Sequence, residues 1–213
     1  MMMMVDAPII KGIYAITPEE TNVEILITQV EACLKGGVSL IQYRSKLLTT
    51  KDKYRQAERL KQLCDQYNKL LIINDDIKLC RHLDAFGVHL GKDDDNIEKA
   101  RKLLGPNKIV GISCYNDWHR IKMAVTAQAD YIALGACFST STKPYAPKVS
   151  LEMIASVIKK YEIPIVVIGG ITLDNVPLLL EQGVKSIALI NGLFKQQNIE
   201  MTARQFNQLL KER

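Results

Sequence analysis

The amino-acid sequence predicts an α/β protein with the (β/α)8 TIM-barrel fold, and we expect residues 1–213 to form a single catalytic domain. Eight short runs of β-branched and other apolar residues recur along the chain, and amphipathic segments separate them. The length of 213 residues, with 47% hydrophobic and 24% charged residues, suits one barrel without linkers.

The eight predicted strands are almost continuously apolar rather than alternating, which is typical of parallel strands buried on both faces. They are Gly12–Thr17, Val38–Tyr43, Leu70–Asn74, Phe86–Leu90, Ile109–Ser113, Tyr131–Leu134, Pro164–Ile168 and Ser186–Ile190. None is followed by the glycine fingerprint of a dinucleotide-binding sheet, so a closed barrel explains the alternation better than an open sheet does.

Amphipathic segments between the strands predict the helices, and the count becomes eight strands and eight helices in strict alternation. The clearer segments are Val23–Lys35, Lys51–Tyr67, Trp118–Gln128, Leu151–Tyr161 and Leu173–Gln182, and the weaker ones are Asp76–Leu83 and Ile97–Leu104. Side-chain oxygens that can accept from the first helical amides predict N-terminal caps at Thr21, Thr50, Asp117 and Ser150. Gly36 and Gly183 suit helix ends.

The charge balance excludes some classes of partner. The chain has 28 Lys and Arg against 23 Asp and Glu, a formal net charge of +5, and no run of five or six like charges. Such a mild excess predicts no nucleic-acid partner and is compatible with small anionic substrates. No apolar stretch approaches the roughly 20 residues of a membrane span, so we expect no membrane partner.

We expect a cytoplasmic protein. Met1–Asp6 is too short an apolar run, and lacks the basic region, for a secretory signal. Residues 1–10 are expected to be poorly ordered. The cysteines contain no CxxC pair, which favours buried free thiols in a reducing compartment over a zinc site or a disulfide framework. They are Cys33, Cys64, Cys80, Cys114 and Cys137. A homo-oligomer is an arrangement that the sequence allows.

In a β/α barrel the active site lies where strands end and the following loops begin, and polar residues gather at those positions here. The second strand ends around Gln42, with Arg44 and Lys46 at the next alternate positions. Because alternate residues of a strand share a face, we expect all three to point into the barrel mouth. A glutamine beside two cations suits a polar ring that carries a pyrophosphate, although solvated charges at a strand end are common.

Carboxylates follow the third and fourth strands, in Asn74–Asp76 and Asp93–Asp95. Two acidic clusters at neighbouring strand ends indicate a hard divalent cation. Mg²⁺ typically takes one or two carboxylates and fills its other sites with water and substrate phosphate. An acidic turn that caps the helix at Ile97 explains Asp95 equally well, but it does not explain Asp75, which directly follows a buried strand.

A long hydroxyl-rich loop, Gly135–Pro144, follows the sixth strand and contains Lys143. Hydroxyls and an ammonium group can hold phosphate oxygens, and a lid here would exclude water from a reactive intermediate. Its length inside a compact barrel favours a functional loop over an ordinary one.

Glycines follow the seventh strand, in Ile168–Ile171, and the eighth strand, in Ile190–Gly192. They let backbone amides approach a phosphate monoester, which is the recurrent phosphate site of β/α barrels. Either glycine turn alone has a plain structural explanation, but the two together favour phosphate.

In their order and spacing, these motifs resemble those of the thiamine phosphate synthase (thiamine-phosphate pyrophosphorylase) family from end to end of the chain. The matching segments are Gly12–Thr17, Gln42–Lys46, Ile73–Asp75, Gly87–Asp94, Gly111–Ser113, Ala129–Lys143 and Ile168–Ile171. The resemblance implies a Mg²⁺-dependent transferase of thiamine biosynthesis. It would join 4-amino-2-methyl-5-hydroxymethylpyrimidine diphosphate to 4-methyl-5-(2-phosphoethyl)thiazole, or its carboxylated form, and give thiamine phosphate and pyrophosphate.

The same resemblance implies the roles of individual residues. The pyrimidine diphosphate would be held by Gln42, Arg44, Lys46, Asn74 and Lys143, with Ser113 against the pyrimidine or its diphosphate. The thiazole phosphate would be held by Thr140, Thr142, Gly170 and the amides around Ile190 and Asn191. Asp75 and Asp94 would ligate Mg²⁺, with Asp94 preferred over Asp93 by register. The expected catalytic residues are Arg44, Lys46, Lys143 and Ser113, because cations neutralise a departing diphosphate while the ring amine stabilises a pyrimidine carbocation.

Three positions depart from the family pattern. Asp76 stands where the family usually has Arg, and Lys92 where it usually has Gln, and we hypothesise that these two charges pair across neighbouring strands. Asn191 follows Ile190 where Ser is common, which leaves backbone amides as the expected phosphate contact.

Two other functions stay open. A thiazole tautomerase-like isomerase shares this barrel but uses a histidine near the end of the fifth strand, where this chain has Ser113–Asn116. His119 comes later, and His89 is interpreted as a hydrogen-bonded, partly buried residue. A non-catalytic module that binds thiamine phosphate would not need metal carboxylates. The polar residues of the second to sixth strand ends therefore favour the synthase.

Overall fold

The structure is a computed structural model that describes residues 10–91, 96–139 and 148–212. Within those residues, eight parallel strands form a closed barrel in the order β1 to β8, and β8 pairs with β1. The (β/α)8-barrel fold predicted from the sequence is therefore confirmed.

The strands are β1 (Gly12–Ile16), β2 (Leu40–Tyr43), β3 (Leu70–Asn74), β4 (Gly87–Leu90), β5 (Ile109–Tyr115), β6 (Tyr131–Leu134), β7 (Ile165–Ile168) and β8 (Ser186–Leu189). Strands β3 and β6 have the predicted bounds. β5 runs past its predicted end at Ser113 because its register against β6 shifts between Ser113 and Tyr115. Such a bulge beside a barrel rim re-aims the side chains of the strand end.

The helices are α1 (Val23–Lys35), α2 (Thr50–Gln66), α3 (Ile77–His82), α4 (Ile97–Leu104), α5 (Trp118–Thr126), α6 (Leu151–Lys160), α7 (Val176–Leu180), α8 (Asn191–Phe194) and α9 (Ile199–Lys211). The predicted strict alternation is wrong after β8, where the chain forms α8 and then α9. α7 is shorter than predicted because the Asn175 side chain accepts from Thr172 N and donates to Gly170 O, which holds the preceding residues in a turn.

Side-chain caps fix most helix starts. Asp117 and Ser150 cap α5 and α6 as predicted. Asn22 caps α1 and Thr49 caps α2, each one residue from the predicted cap, because these residues have the extended backbone that directs a side-chain oxygen at the first helical amides. No helix in the described part of the chain is both long enough and apolar enough to cross a membrane.

Alternate residues of each strand face opposite sides of the barrel wall. Outward residues such as Ile13, Ile41 and Val110 pack against the helices in one large apolar cluster. Inward residues form a second apolar cluster that fills the barrel, and it includes Tyr14 and Tyr131. The inner cluster thus contains two hydroxyl groups, which need hydrogen-bond partners inside the barrel.

Candidate active site

A cavity of about 380 Å³ lies at the carboxyl ends of the strands. Seven of the residues predicted to bind substrate line it: Gln42, Arg44, Asn74, Ser113, Gly170, Ile190 and Asn191. They come from five strand ends that are far apart in sequence, so closure of the barrel brings them to one place. The position agrees with the active-site location common to β/α barrels.

Arg44 is held at the cavity by two residues of the loop that follows β1. The Arg44 backbone N donates to Thr17 Oγ1 at 2.9 Å, and Thr17 Oγ1 donates to Arg44 O at 3.1 Å. The Arg44 guanidinium donates to the Glu19 carboxylate at 2.7 Å, and the same carboxylate accepts from Lys46 N at 2.9 Å. Sequence reasoning missed Glu19 because nothing in the sequence places its loop beside β2.

Lys46 does not follow the alternation that the sequence suggested, because β2 ends at Tyr43. Its side chain is 60% exposed, and its Nζ lies 3.8 Å from Asp75 Oδ2. The Asp75 carboxylate also accepts from the Asn74 side-chain amide at 2.5 Å. Lys46 and Asp75 are therefore not among the residues that line the cavity. They lie behind Asn74, which lines it and donates to the Asp75 carboxylate.

Asp75 has a left-handed backbone with φ of 64°, which is uncommon for a residue other than glycine. Its amide donates to His89 O at 2.9 Å, so β4 holds this turn at the end of β3. Strained residues of this kind concentrate at functional sites. The next residue, Asp76, caps α3 by accepting from Leu79 N, and it lies 3.9 Å from Lys53 Nζ.

Several predicted site residues lie outside the residues that the structure describes. They are Thr140, Thr142 and Lys143 in the loop after β6, and Lys92, Asp93 and Asp94 after β4. The hypothesised pair between Asp76 and Lys92 and the choice between Asp93 and Asp94 stay predictions for that reason. Across the described ranges, no three His, Cys, Asp or Glu side chains form a cluster suited to a metal.

A chain of buried hydrogen bonds crosses the barrel beneath the cavity. Gln42 Nε2 donates to Tyr14 OH at 2.7 Å, and Tyr14 OH lies 2.7 Å from Tyr131 OH. His89 Nδ1 lies 3.0 Å from Tyr131 OH, and His89 Nε2 lies 2.9 Å from Ser113 Oγ. Two predicted substrate residues, Gln42 and Ser113, are thus the two ends of one network. The interpretation of His89 as a hydrogen-bonded residue is confirmed, although its side chain is buried rather than partly buried.

Burial keeps both tyrosines of this network protonated. Tyr131 is 0% and Tyr14 2% exposed, and desolvation raises the pKa of each well above the ordinary tyrosine value. Gly111 makes room for the Tyr131 ring, since a Cβ at this position would lie 2.0 Å from Tyr131 Cζ. Inward-facing tyrosines in otherwise apolar strands are the feature of the sequence that indicates this network.

Arg120 of α5 supports the end of β5. Its guanidinium donates to Ser113 O at 3.1 Å and to Gly91 O at 3.4 Å, and it lies over the Tyr115 ring. The bulge and this arginine together hold Ser113 with its hydroxyl toward His89 and the cavity.

The opposite side of the cavity is built from turns that only glycine allows. Gly170 has φ of 63°, and a Cβ there would lie 2.3 Å from Ser139 O. A Cβ on Gly192 would lie 2.6 Å from Ile171 O, so the turn after β7 and the start of α8 are in close contact. The two glycine turns predicted to bind phosphate are therefore neighbours, with Ile190 and Asn191 beside them.

The cysteines do not offer a nucleophile. Cys114 is buried and Cys137 is partly buried, and desolvation raises the pKa of both thiols to about 12. Thiolate is the reactive form, so both are unreactive at neutral pH. Of the three histidines, all within the described ranges, His89 alone is among the residues that line the cavity there, and the end of β5 has no histidine.

Comparisons with known proteins indicate the same family as the sequence motifs do. A family model described as thiamine monophosphate synthase matches residues 13–193. A thiamine-phosphate synthase of Methylobacillus flagellatus is 47% identical over 202 residues, covering 95% of this chain and 96% of that protein. One of Nitrosococcus oceani is 44% identical and covers 93% and 92%. The solved thiamine phosphate pyrophosphorylase from Pyrococcus furiosus is similar with a TM-score of 0.85 at 30% identity, covering 94% and 96%.

Proposed function

Since this chain belongs to the thiamine monophosphate synthase family and is a transferase that joins the pyrimidine diphosphate to the thiazole phosphate, we propose that the reaction takes place in the cavity at the strand ends. The observation that carries this proposal is the convergence of Gln42, Asn74 and Ser113 on one cavity, with Arg44 at its edge. These groups supply the amide, hydroxyl and guanidinium contacts that a polar ring with a diphosphate needs.

The pyrimidine ring is proposed to lie over the buried network, between Gln42 and Ser113. Its diphosphate extends toward Arg44 and Lys46, the two cations of the loop that Glu19 holds beside the cavity. The thiazole phosphate lies against the turn at Gly170 and the start of α8, where close backbone packing leaves amides rather than bulky side chains. Thr140, Thr142 and Lys143 are proposed to complete both phosphate sites.

Mg²⁺ is the metal that these residues suit. Asp75 offers a hard carboxylate next to the proposed diphosphate site, and Lys46 and Asn74 already orient that carboxylate. One or two carboxylates with phosphate oxygens and water complete the coordination that Mg²⁺ prefers, and Asp94 is the proposed second carboxylate. When bound, the cation would neutralise charge on the departing diphosphate.

The protein's own residues then assist ionisation of the pyrimidine substrate. The bond between the ring methylene and the diphosphate oxygen breaks, and its electron pair leaves with the diphosphate. Arg44, Lys46 and Lys143 stabilise that negative charge, while Gln42 and Ser113 hold the ring in place. The thiazole nitrogen supplies the electron pair of the new carbon–nitrogen bond, so no side-chain nucleophile is needed. Buried free thiols further support a cytoplasmic, reducing location for this chemistry.

A matched pair of buried glutamines tests the placement of the pyrimidine. Gln42 and Gln56 are each 2% exposed, but Gln56 lies outside the barrel, where it accepts from Tyr43 OH. With both substrates and MgCl2, the wild type should form thiamine phosphate and pyrophosphate, and EDTA should stop the reaction. Gln42→Ala should lose binding of the pyrimidine diphosphate in calorimetry, whereas Gln56→Ala should lose only stability. Equal pyrimidine binding in the two variants would overturn the placement.

A further inference from the structure

The buried network beneath the cavity joins five strands through four hydrogen bonds. The number of protons that each side chain can donate limits the possible directions of these bonds. A tyrosine hydroxyl has one proton, and a neutral histidine has one proton on one of its two ring nitrogens. Desolvation raises the pKa of Tyr14 and of Tyr131, so both hydroxyls keep their protons. The order of donors along the network can therefore be derived from its ends.

Gln42 sets the direction. Its amide nitrogen donates to Tyr14 OH, so the Tyr14 proton must go to another acceptor. Within the described part of the chain, the other partner of that hydroxyl is Tyr131 OH, at 2.7 Å. Tyr131 OH in turn donates a hydrogen bond to His89 Nδ1, at 3.0 Å. In the reverse order the Tyr14 proton would be buried without an acceptor, which is costly.

The same order continues through the histidine. Since Nδ1 of His89 accepts, the ring proton lies on Nε2, and Nε2 donates to Ser113 Oγ at 2.9 Å. The Ser113 proton is then directed away from His89, and Ser113 lines the cavity. At the other end, one N–H of the Gln42 amide donates to Tyr14, and the carbonyl oxygen is the acceptor that Gln42 can present to a ligand.

We propose that Tyr14, Tyr131 and His89 form a one-way hydrogen-bond chain that makes Gln42 an acceptor and Ser113 a donor toward the cavity, and thereby selects an aminopyrimidine over a pyrimidinone. An amino group donates to the Gln42 carbonyl, and a ring nitrogen accepts from Ser113. A pyrimidinone would set its carbonyl oxygen against that of Gln42. This inference rests on the proposed placement of the pyrimidine over the network, and it makes Tyr131 a positioning residue.

Tyr131→Phe is the direct test because Tyr131 does not line the cavity, while its hydroxyl joins the two halves of the network. Without that hydroxyl, the Tyr14 proton finds its acceptor by a flip of the Gln42 amide, whose carbonyl then turns toward Tyr14. The Gln42 nitrogen would face the cavity and donate to a pyrimidinone oxygen. His89 Nδ1 also loses its contact with the Tyr131 hydroxyl, so the preference for the Nε2–H tautomer falls.

Two measurements follow from this reasoning. The first is the ratio of Kd values for the 4-aminopyrimidine diphosphate and its 4-oxo counterpart, by calorimetry with MgCl2 and without the thiazole. We expect the wild type to prefer the amino form by about tenfold or more, and Tyr131→Phe to reduce that ratio at least about fivefold. The second is the tautomer of His89 in the substrate-free protein, from long-range ¹H–¹⁵N NMR. We expect Nε2–H in the wild type and a mixture in the variant.

Tyr43→Phe is the matched control. Tyr43 is also a buried strand tyrosine, but its hydroxyl bonds to Gln56 and Lys53 O on the outer side of the barrel. It should lose stability while the Kd ratio and the His89 tautomer stay as in the wild type. If Tyr131→Phe does not fold, Tyr14→Phe replaces it, since it directly removes the hydroxyl that accepts from the Gln42 amide.

An Nδ1–H tautomer of His89 in the wild type would overturn the inference. So would an unchanged Kd ratio in folded Tyr131→Phe and Tyr14→Phe proteins. These outcomes are distinct from failure of the proposed placement. If the proposed placement of the pyrimidine is wrong, Gln42→Ala would leave the Kd of both pyrimidines unchanged. The inference about specificity would then fail as well, even if the His89 tautomer is Nε2–H.

Discussion

The Arg44 guanidinium and the Glu19 carboxylate form an ion pair of 2.7 Å, and the same carboxylate accepts from the Lys46 amide. One acidic side chain thus holds the Arg44 guanidinium and the backbone of Lys46 in place before an anion arrives. Such preorganisation lowers the entropy that the ligand must remove on binding.

Replacement of Glu19 separates its positioning role from its charge. Glu19→Ala should raise KM for the pyrimidine diphosphate by about two- to fivefold, because a partly exposed ion pair contributes up to about 1 kcal/mol. Glu19→Gln keeps an acceptor for the Lys46 amide and should show a smaller change. Steady-state kinetics with the thiazole phosphate in excess measure both. A KM that falls in Glu19→Ala would mean that the carboxylate competes with the diphosphate.

Asp75 and Asp76 are adjacent carboxylates with different surroundings. Asp75→Asn should reduce kcat by about a hundredfold or more and raise the Mg²⁺ concentration needed for half-maximal rate, because a ligand charge is lost. Asp76→Asn keeps a side-chain oxygen to cap α3 and loses only the contact with Lys53, so its kinetics should match the wild type. Equal Mg²⁺ dependence in the two variants would remove Asp75 from the metal site.

A pair of glycines tests the proposed site for the thiazole phosphate. Gly170→Ala adds a Cβ that collides with Ser139 O, and it should raise KM for the thiazole phosphate by about tenfold or more. Gly183→Ala has the same left-handed backbone strain, with φ of 84°, but its Cβ meets only Ile158 at 3.9 Å. Gly183→Ala should lose about 1 kcal/mol of stability in urea denaturation from backbone strain alone, and Gly170→Ala should lose more because of the collision, yet only Gly170→Ala should change KM. A normal KM in folded Gly170→Ala would contradict this placement.

Stability should fall in alkaline solution. Burial raises the thiol pKa from 9.0 to about 12 at Cys33, Cys64, Cys80, Cys114 and Cys137. The unfolded chain releases these protons above pH 9 while the folded chain keeps them. Their contribution to stability is therefore complete below that pH and is lost as the pH rises toward the folded value.

Urea denaturation between about pH 7 and pH 10 measures this dependence. Cys64→Ala removes one of the titrating thiols and should show a shallower loss of unfolding free energy with pH. A free energy of unfolding that does not change over this range would contradict the burial of the thiols.

The fold was predictable because short continuous apolar runs indicate the buried strands, and segments with the helical period of apolar residues indicate the helices between them. The site was predictable as far as strand ends could be located, and Gln42, Asn74 and Ser113 do meet at one cavity. Lys46 shows the limit of predicting side-chain orientation from strand alternation. Alternation extends only as long as the strand does, and β2 ends at Tyr43 because its pairing with β3 ends there.

The remaining site features depend on closure of the barrel rather than on local sequence. Tyr14 and Tyr131 come within hydrogen-bond distance because opposite walls of the barrel face one another. Glu19 reaches Arg44 because the loop after β1 folds over the end of β2. Contacts between residues so far apart in sequence leave no periodic signal in a single sequence.

The pairing of β1 with β8 also has a consequence for protein synthesis. Ser186 Oγ donates to Gly12 O across 174 residues, and the register runs from Gly12↔Ser186 to Ala15↔Leu189. During synthesis on the ribosome, the edge of β1 that pairs with β8 therefore stays unpaired until β8 has emerged. Long-range closure of this kind is slow and leaves the nascent chain open to aggregation. Chaperone demand should thus peak late in translation, and enzymatic competence should follow only after the ring of strands is complete.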